Sequence, residues 1–372
     1  MNIAVVSKNK NKYSETFIHN QVKHLPFKTH YFFGDYLPTM YNNDHLFIPD
    51  TFGQGLISLW QRKFSGISRE DELKKAITEY IINNEIKVVL ANYALSAFPF
   101  LNICKAANIP LVVHFHGYTA YRNDIYNKYL ADYKRLFKEV DAIVAVSAHM
   151  VERLKSIGAP AGKIHHIVYG IEPDLFFPPA NAVDNKTVLY VGRFCDTKNP
   201  HLVILAFQQL LQIIPEANLI MVGDGELMPA CINLVKSLAL TDSVIFKGPL
   251  SNAAIAEEMR SAAVLVQFSA TAPNNDTEGT PLAILEAGLS ALPVVAARSG
   301  GIPEIITDND TGHLVNELDT SALTNKMVKA LGSRDRSLEM AQKLRQKVLS
   351  NYTLDKYITN LSAVLKGVTE GR

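Results

Sequence analysis

The stretch VLYVGRFCDTKNP, Val188–Pro200, decides the fold. Four apolar residues without alternation, VLYV, read as a strand buried on both faces. A glycine then breaks the run. Asn199-Pro200 reads as a helix start, with asparagine as N-cap and proline at the first helical position. Strand, short loop and helix in that order make the repeating part of an α/β sheet. The loop carries Arg193 and Lys198, so two cations flank a helix N-terminus whose free N–H groups and dipole already favour an anion. A diphosphate suits such a place, since arginine grips it with two parallel bonds and lysine acts as a point charge. The plainer alternative is two solvated loop cations.

The same rhythm repeats on both sides. Strand candidates upstream are Ile3–Ser7, Thr29–Phe33, Lys87–Ala91, Pro110–Phe115, Ala142–Val146 and Ile164–Val168, separated by helical patterns such as EDELKKAITEYIINN. Downstream they are Asn218–Val222, Val244–Phe246, Ala263–Gln267 and Pro293–Ala296, and from Ser321 onward the pattern is nearly all helical. Tyr169–Lys186 interrupts the alternation with three prolines and no periodicity, which reads as an interdomain linker. The expectation is an α/β protein of two doubly wound, Rossmann-like domains facing a cleft. They span residues 1–178 and 179–354, with 355–372 packing back on the first. Ligands of such sheets bind beyond the carboxyl ends of strands, so the loops after strands carry the chemistry.

Bulk composition fits this. The 372 residues suffice for two cores, with 48% hydrophobic and 20% charged residues. A net charge of +1 argues against a nucleic-acid partner. Residues 1–178 carry 20 Lys/Arg against 16 Asp/Glu, and the remainder 17 against 20. Cys104, Cys195 and Cys231 form no C-x-x-C pair, which favours a reduced, cytoplasmic setting. The opening MNIAVVSKNK reads as a buried strand rather than a signal peptide, and no apolar run reaches membrane-span length.

TEGTPLAILEAG, Thr277–Gly288, sets Glu278 and Glu286 eight residues apart. Thr280 reads as N-cap and Pro281 as first helical residue, so Glu278 lies in the loop and Glu286 in the second turn, roughly 8 Å from the helix start. The pair is open to three readings: solvated charges, a hydrolase acid and base, or two grips on one elongated ligand. VGDGE (Val222–Glu226) permits a tight turn but is no nicotinamide fingerprint, because Met228 stands where a third glycine belongs. FKGPL (Phe246–Leu250) is a loop where backbone meets a nucleotide base, or a plain turn.

Taken together, GRFCDTK, GDGE, EGTPLAILEAG, ALPVVA, GGIPEII and TGHLV resemble the nucleotide-binding domain of retaining GT-B glycosyltransferases of family four. SETFIHNQVKHL, HFHGY, VSAHMVERLKSIG and YGIEPDLFFP extend the resemblance across most of the chain, and its look is closest to bacterial exopolysaccharide and surface-glycan enzymes. The resemblance implies a transferase that moves a sugar from a UDP- or GDP-sugar, UDP in preference, to a glycan or lipid-linked glycan acceptor. It implies that Arg193 and Lys198 hold the diphosphate, Glu286 the ribose, and the Leu250 backbone the base. Glu278 and His116 are then assigned to the donor sugar, and the backbone of Gly279, Thr280, Pro281 and Leu282 faces sugar and phosphate. No cofactor and no metal are implied. Two competing classes are a nucleotide-sugar epimerase of the same fold, turning over without acceptor, and a non-catalytic nucleotide-sugar binder.

Several features depart from this pattern or imitate others. The loop after the first strand, SKNKNKYSETF, lacks the glycines of many relatives; Lys8, Lys10 and Lys12 either replace backbone donors or face solvent. Gly170-Ile171-Glu172 keeps a longer acid where aspartate is usual. His114 and His116 share one strand face without a third metal ligand, and His165 and His166 point opposite ways. Asp308-Asn309-Asp310 imitates a metal-binding D-x-D, where a polar turn suffices. Phe52–Phe64 gathers Phe52, Trp60 and Phe64 with Arg62 and Lys63; it reads either as a core helix or as a helix lying on a membrane.

Overall fold

The computed structural model describes residues 1–10, 15–48, 68–180, 183 and 185–371. The Phe52–Phe64 stretch and Lys12 lie outside them. The chain forms two compact units. One comprises Met1–Val146, Val151–Ile167 and Ile358–Arg372, the other Ser147–Met150 and Val168–Tyr357.

In the first unit, β1 (Asn2–Val6), β2 (Lys28–Phe33), β5 (Ile86–Asn92), β6 (Leu111–His114), β7 (Ala142–Ala145) and β8 (Ile164–His166) pair in parallel. A short antiparallel extension, β3 (Met40–Tyr41) and β4 (His45–Leu46), continues the β2 edge, giving the order β4-β3-β2-β1-β5-β6-β7-β8. The two-residue strands β3 and β4 carry no readable alternation, and sequence reasoning missed them.

The second unit is a six-stranded parallel sheet of β9 (Thr187–Val191), β10 (Asn218–Val222), β11 (Val244–Gly248), β12 (Val264–Gln267), β13 (Val294–Ala297) and β14 (His313–Val315). Its order is β11-β10-β9-β12-β13-β14. Strand order reverses between β9 and β12, which pair in parallel, and this is the switch point at which sheets of this kind bind ligands. The continuous apolar run of β9 has a physical reason. Val188 and Tyr190 enter the core cluster on one face with Phe194, Phe207 and Val266, while Leu189 and Val191 enter the other with Ile284, Leu285 and Val294.

Three local readings need correcting. Tyr169–Lys186 is no bare tether, because Ile171 and Phe176 are buried in the second unit's core. Gly170 packs so closely there that a Cβ would stand 2.2 Å from the Thr353 carbonyl oxygen. The second unit's main segment runs from Val168 to Tyr357. The helix of the TEGTPLAILEAG stretch spans Leu282–Leu289, with Pro281 rather than Thr280 at the cap position. Asn199 precedes the helix Pro200–Leu211 but makes no capping bond; it takes a left-handed φ of 46°, and its side-chain amide donates to the Phe268 carbonyl at 3.5 Å.

Candidate active site

The two loops at the second unit's switch point are built mainly from backbone. After β9, Gly192 N–H donates to the Val222 carbonyl (3.0 Å) and Phe194 N–H to the Asp224 carbonyl (2.9 Å). Gly223 and Gly225, with φ of +130° and +154°, complete this contact. A Cβ on Gly223 would lie 1.9 Å from the Gly192 oxygen, and one on Gly225 2.5 Å from the Phe194 oxygen. Tyr190 Oη donates to the Arg193 carbonyl at 2.8 Å and ties the loop to its own strand. The Glu278-Gly279 backbone of the loop after β12 is met by Gly300 and Gly301, which follow β13 and whose Cβ atoms would each lie 2.0 Å from a carbonyl oxygen. Gly300 has φ +49°. Thr277 and Ser299 share a hydroxyl–hydroxyl bond of 3.1 Å beside them. The sequence held GDGE and GGIPEII in view, but no local pattern reveals that these glycines back the two loops.

Within this frame Lys198 Nζ lies 2.7 Å from Glu278 Oε1, both side chains largely buried at 14% and 9% exposure. Burial pushes the Glu286 carboxyl up to about 7, and the Lys198 charge opposes that rise. One ammonium therefore serves both glutamates. Arg193 projects outward from the loop. Burial acts against its charge, but Cys195, Asp276, Glu278 and Glu226 outweigh that and hold it above its ordinary value. Burial pushes the Cys195 thiol up against the pull of Arg193 and Lys198. Leu250 packs its side chain on the core cluster of β9 and β13. The Gly279-Thr280-Pro281-Leu282 backbone leads into the helix that carries Glu286.

The hydrolase reading of the two glutamates leaves Arg193 and the Lys198–Glu278 pair without a role. Asp308 and Asp310 are held apart in a turn, Asp308 by Arg298 (2.8 Å) and the Leu314 N–H (2.9 Å), Asp310 by Lys343 (2.9 Å).

His116 belongs to the first unit, at the N-terminus of the short helix Gly117–Ala120 that follows β6. Its Nε2 lies 3.0 Å from Asn92 Oδ1, and its ring packs against Phe17, Tyr93 and His114 at centroid distances of 4.4, 4.5 and 4.5 Å. Burial holds it well below its ordinary pKa, with His114 adding to the effect. The supporting residues Asn92 and Gln21 were missed, although Asn92 ends β5 and the rule of searching strand ends would have reached it.

Comparison with known proteins fits these loops. Residues 172–348 match the family model "Glycosyl transferases group 1", and residues 43–175 match "Glycosyltransferase Family 4". The chain belongs to this glycosyltransferase family. A GDP-mannose-dependent α-(1-6)-phosphatidylinositol monomannoside mannosyltransferase of Mycolicibacterium smegmatis is 26% identical over 250 residues, 64% of this chain and 65% of that protein. The amylovoran biosynthesis glycosyltransferase AmsK of Erwinia amylovora is 31% identical over 214 residues, 57% of this chain and 53% of that protein. The match thus spans between about half and two thirds of these relatives' lengths. Anabaena HepE, crystallised with UDP-glucose, is 17% identical with a TM-score of 0.77 over 99% of this chain and 100% of that one, a likeness of fold. That fold is GT-B. Among the described residues no helix is long and apolar enough to cross a membrane.

Proposed function

We propose that the chain transfers a sugar from a UDP-sugar to a glycan or lipid-linked glycan in surface polysaccharide assembly, with retention of anomeric configuration and without a metal ion. One observation carries this reading: Lys198, 2.7 Å from Glu278 and near Glu286, stands at the sheet's switch point beside Arg193. The diphosphate engages Arg193 and Lys198 and takes the lysine from Glu278. Glu286 accepts from the ribose hydroxyls, and the Leu250 backbone meets the base. Backbone N–H groups of Gly279, Thr280 and Leu282 face sugar and phosphate; Pro281 has none. Glu278, released, turns to a hydroxyl of the donor sugar, and His116 is assigned another.

As the anomeric C–O bond breaks, its electron pair passes to the diphosphate oxygen and the sugar becomes oxocarbenium-like. The acceptor hydroxyl adds on the same face and its proton goes to the departing diphosphate. The two cations stabilise the charge that develops there, the task a divalent ion performs elsewhere.

A thermal-shift and calorimetric series with UDP, GDP and their sugars tests this, since a ligand raises stability by RT ln(1 + [L]/Kd). UDP should bind and turnover should survive excess EDTA. Binding of GDP alone replaces the base, donor consumption without acceptor makes the enzyme an epimerase, and loss to EDTA restored by Mg²⁺ ends the metal-free mechanism. A membrane contact through Phe52, Trp60, Arg62, Lys63 and Phe64 belongs to the same proposal. Trp60 is the only tryptophan, so its emission should shift blue with anionic vesicles. An unchanged spectrum removes that contact.

A further inference from the structure

Residues 268–281, between β12 and the helix Leu282–Leu289, form neither helix nor strand, and Glu278 stands near the end of this loop. Midway the chain doubles back. Ala272 N–H donates to the Asp276 carbonyl and Asn275 N–H to the Ala272 carbonyl, both at 2.8 Å. Thr271 and Thr277 are thereby brought together as a neck, their hydroxyl oxygens 3.4 Å apart. On one side of the neck Thr277 meets the Ser299 hydroxyl at 3.1 Å. On the other, a carboxylate from just past β14 closes on Thr271. Glu317 accepts from the Thr271 N–H through Oε2 at 3.0 Å and from the Thr271 hydroxyl through Oε1 at 3.2 Å.

The neck is tied to the other loop of the site as well. Ala270 N–H donates to the Thr197 carbonyl at 3.0 Å, and Thr197 immediately precedes Lys198. Glu317 therefore holds the point from which the chain leads one way to the Lys198 loop and the other way to Glu278. Both of its bonds are charge-assisted, about twice as strong as neutral ones. The next residue, Leu318, takes a left-handed φ of +64°. A bulky side chain seldom adopts that conformation, and at 61% exposure it gains little packing in return. Such strain persists where the surrounding structure over-determines it, and the turn that bears it is the one that carries Glu317. The plainer alternative is a surface carboxylate that caps a turn and contributes stability alone.

We propose that Glu317 is a positioning residue for sugar transfer: by clamping Thr271 it fixes the loop of residues 271–278, and with it the place of the Glu278 carboxylate. The role in transfer rests on the function proposed above; the clamp does not. When the diphosphate takes Lys198, Glu278 loses its ionic partner, and its backbone then decides where the carboxylate points. The clamp accordingly matters most with donor bound, in turnover rather than in the hold on free nucleotide.

Hydrogen exchange of the full chain, resolved residue by residue over 268–281, tests the clamp without any ligand. Glu317→Ala should speed exchange about tenfold or more at Ala270, Ala272 and Asn275 as well as at Thr271. Glu317→Gln, which keeps an oxygen for the Thr271 N–H, should restore much of the protection. A change confined to Thr271, or none, overturns the inference. In turnover, Glu317→Ala should lower kcat about 3- to 10-fold while free UDP affinity moves by less than about twofold. Placed in a Glu278→Gln chain it should add little, because the group it positions is gone. A lower Tm with unchanged kcat is the plain cap and overturns the inference, as does a loss that multiplies in full with that of Glu278→Gln. Should Glu317→Ala fail to fold, Thr271→Val, which removes the hydroxyl and leaves the N–H, carries the same expectations. Failure of the unsubstituted chain to use any nucleotide sugar overturns the proposed function instead, and the exchange experiment still decides the clamp.

Discussion

Both units place polar side chains at the carboxyl ends of parallel strands, yet they hold opposite kinds of group. The second unit gathers charge: Lys198 paired with Glu278, Arg193 held charged by Glu278 among others, and Glu286 pushed toward neutrality. The first gathers neutral amides and imidazoles, closed on themselves through the Val6 carbonyl. An ion pair taken out of water is stable only weakly and exchanges partners when a better anion arrives. A buried neutral network offers no such exchange and holds geometry instead. Binding strength is therefore expected to fail when the second unit is altered, and orientation when the first is.

The largest effect should come from removing the cations. Arg193→Ala and Lys198→Ala should each weaken free UDP by about 10- to 150-fold, from about 1.5–3 kcal/mol per charge-assisted contact. Lys198→Ala should also lower Tm, because it strands the Glu278 carboxylate in a largely buried position. Titration calorimetry giving unchanged affinity for both variants would dissolve the contrast between the units.

A smaller effect of opposite sign sharpens it. Glu278→Gln frees Lys198 from its partner and should tighten free UDP about tenfold while impairing turnover. Weaker UDP binding in this variant would mean that Lys198 and Glu278 act as one rigid group rather than exchanging partners.

The smallest expected effect is on stability. The Glu286 carboxyl is raised to about 7 from an ordinary 4.5, so the folded chain binds a proton there that the unfolded chain has lost. Stability from this group is present below about pH 4.5 and is lost as pH rises through about 7. Glu286→Gln should match the unsubstituted Tm at pH 5 and exceed it at pH 8, with about 2–4 °C for each kcal/mol recovered. Equal Tm differences at the two pH values would show that the carboxyl is not raised.

What the sequence made legible followed from local chemistry. The VLYV run, the cations around Asn199-Pro200 and the apolar runs of β5, β10 and β12 all announce themselves within ten residues. Contacts across long separations do not. Lys198 and Glu278 are 80 residues apart, and Asn92 reaches Gln21 across 71 and Val6 across 86. Short elements were equally hidden: His313–Val315 forms a strand only because β13 lies beside it. The burial of Ile171 and Phe176 likewise depends on the whole second core, so a proline-rich stretch looked like a tether.

Main-chain contacts through Gly223, Gly225, Gly300 and Gly301 back the two loops at the second unit's switch point, largely independently of the charged side chains those loops display. Backbone position and chemical preference are thereby inherited separately. On the function proposed above, side chains that meet the sugar can change while the loops, and Arg193 on the diphosphate, stay in place. The glycines have no such freedom, because a single methyl group at Gly223 or Gly300 would meet a carbonyl oxygen at 1.9 or 2.0 Å and displace both loops of a pair together. A lineage built on this chain would diversify its donors by exchanging side chains, and seldom by remodelling loops.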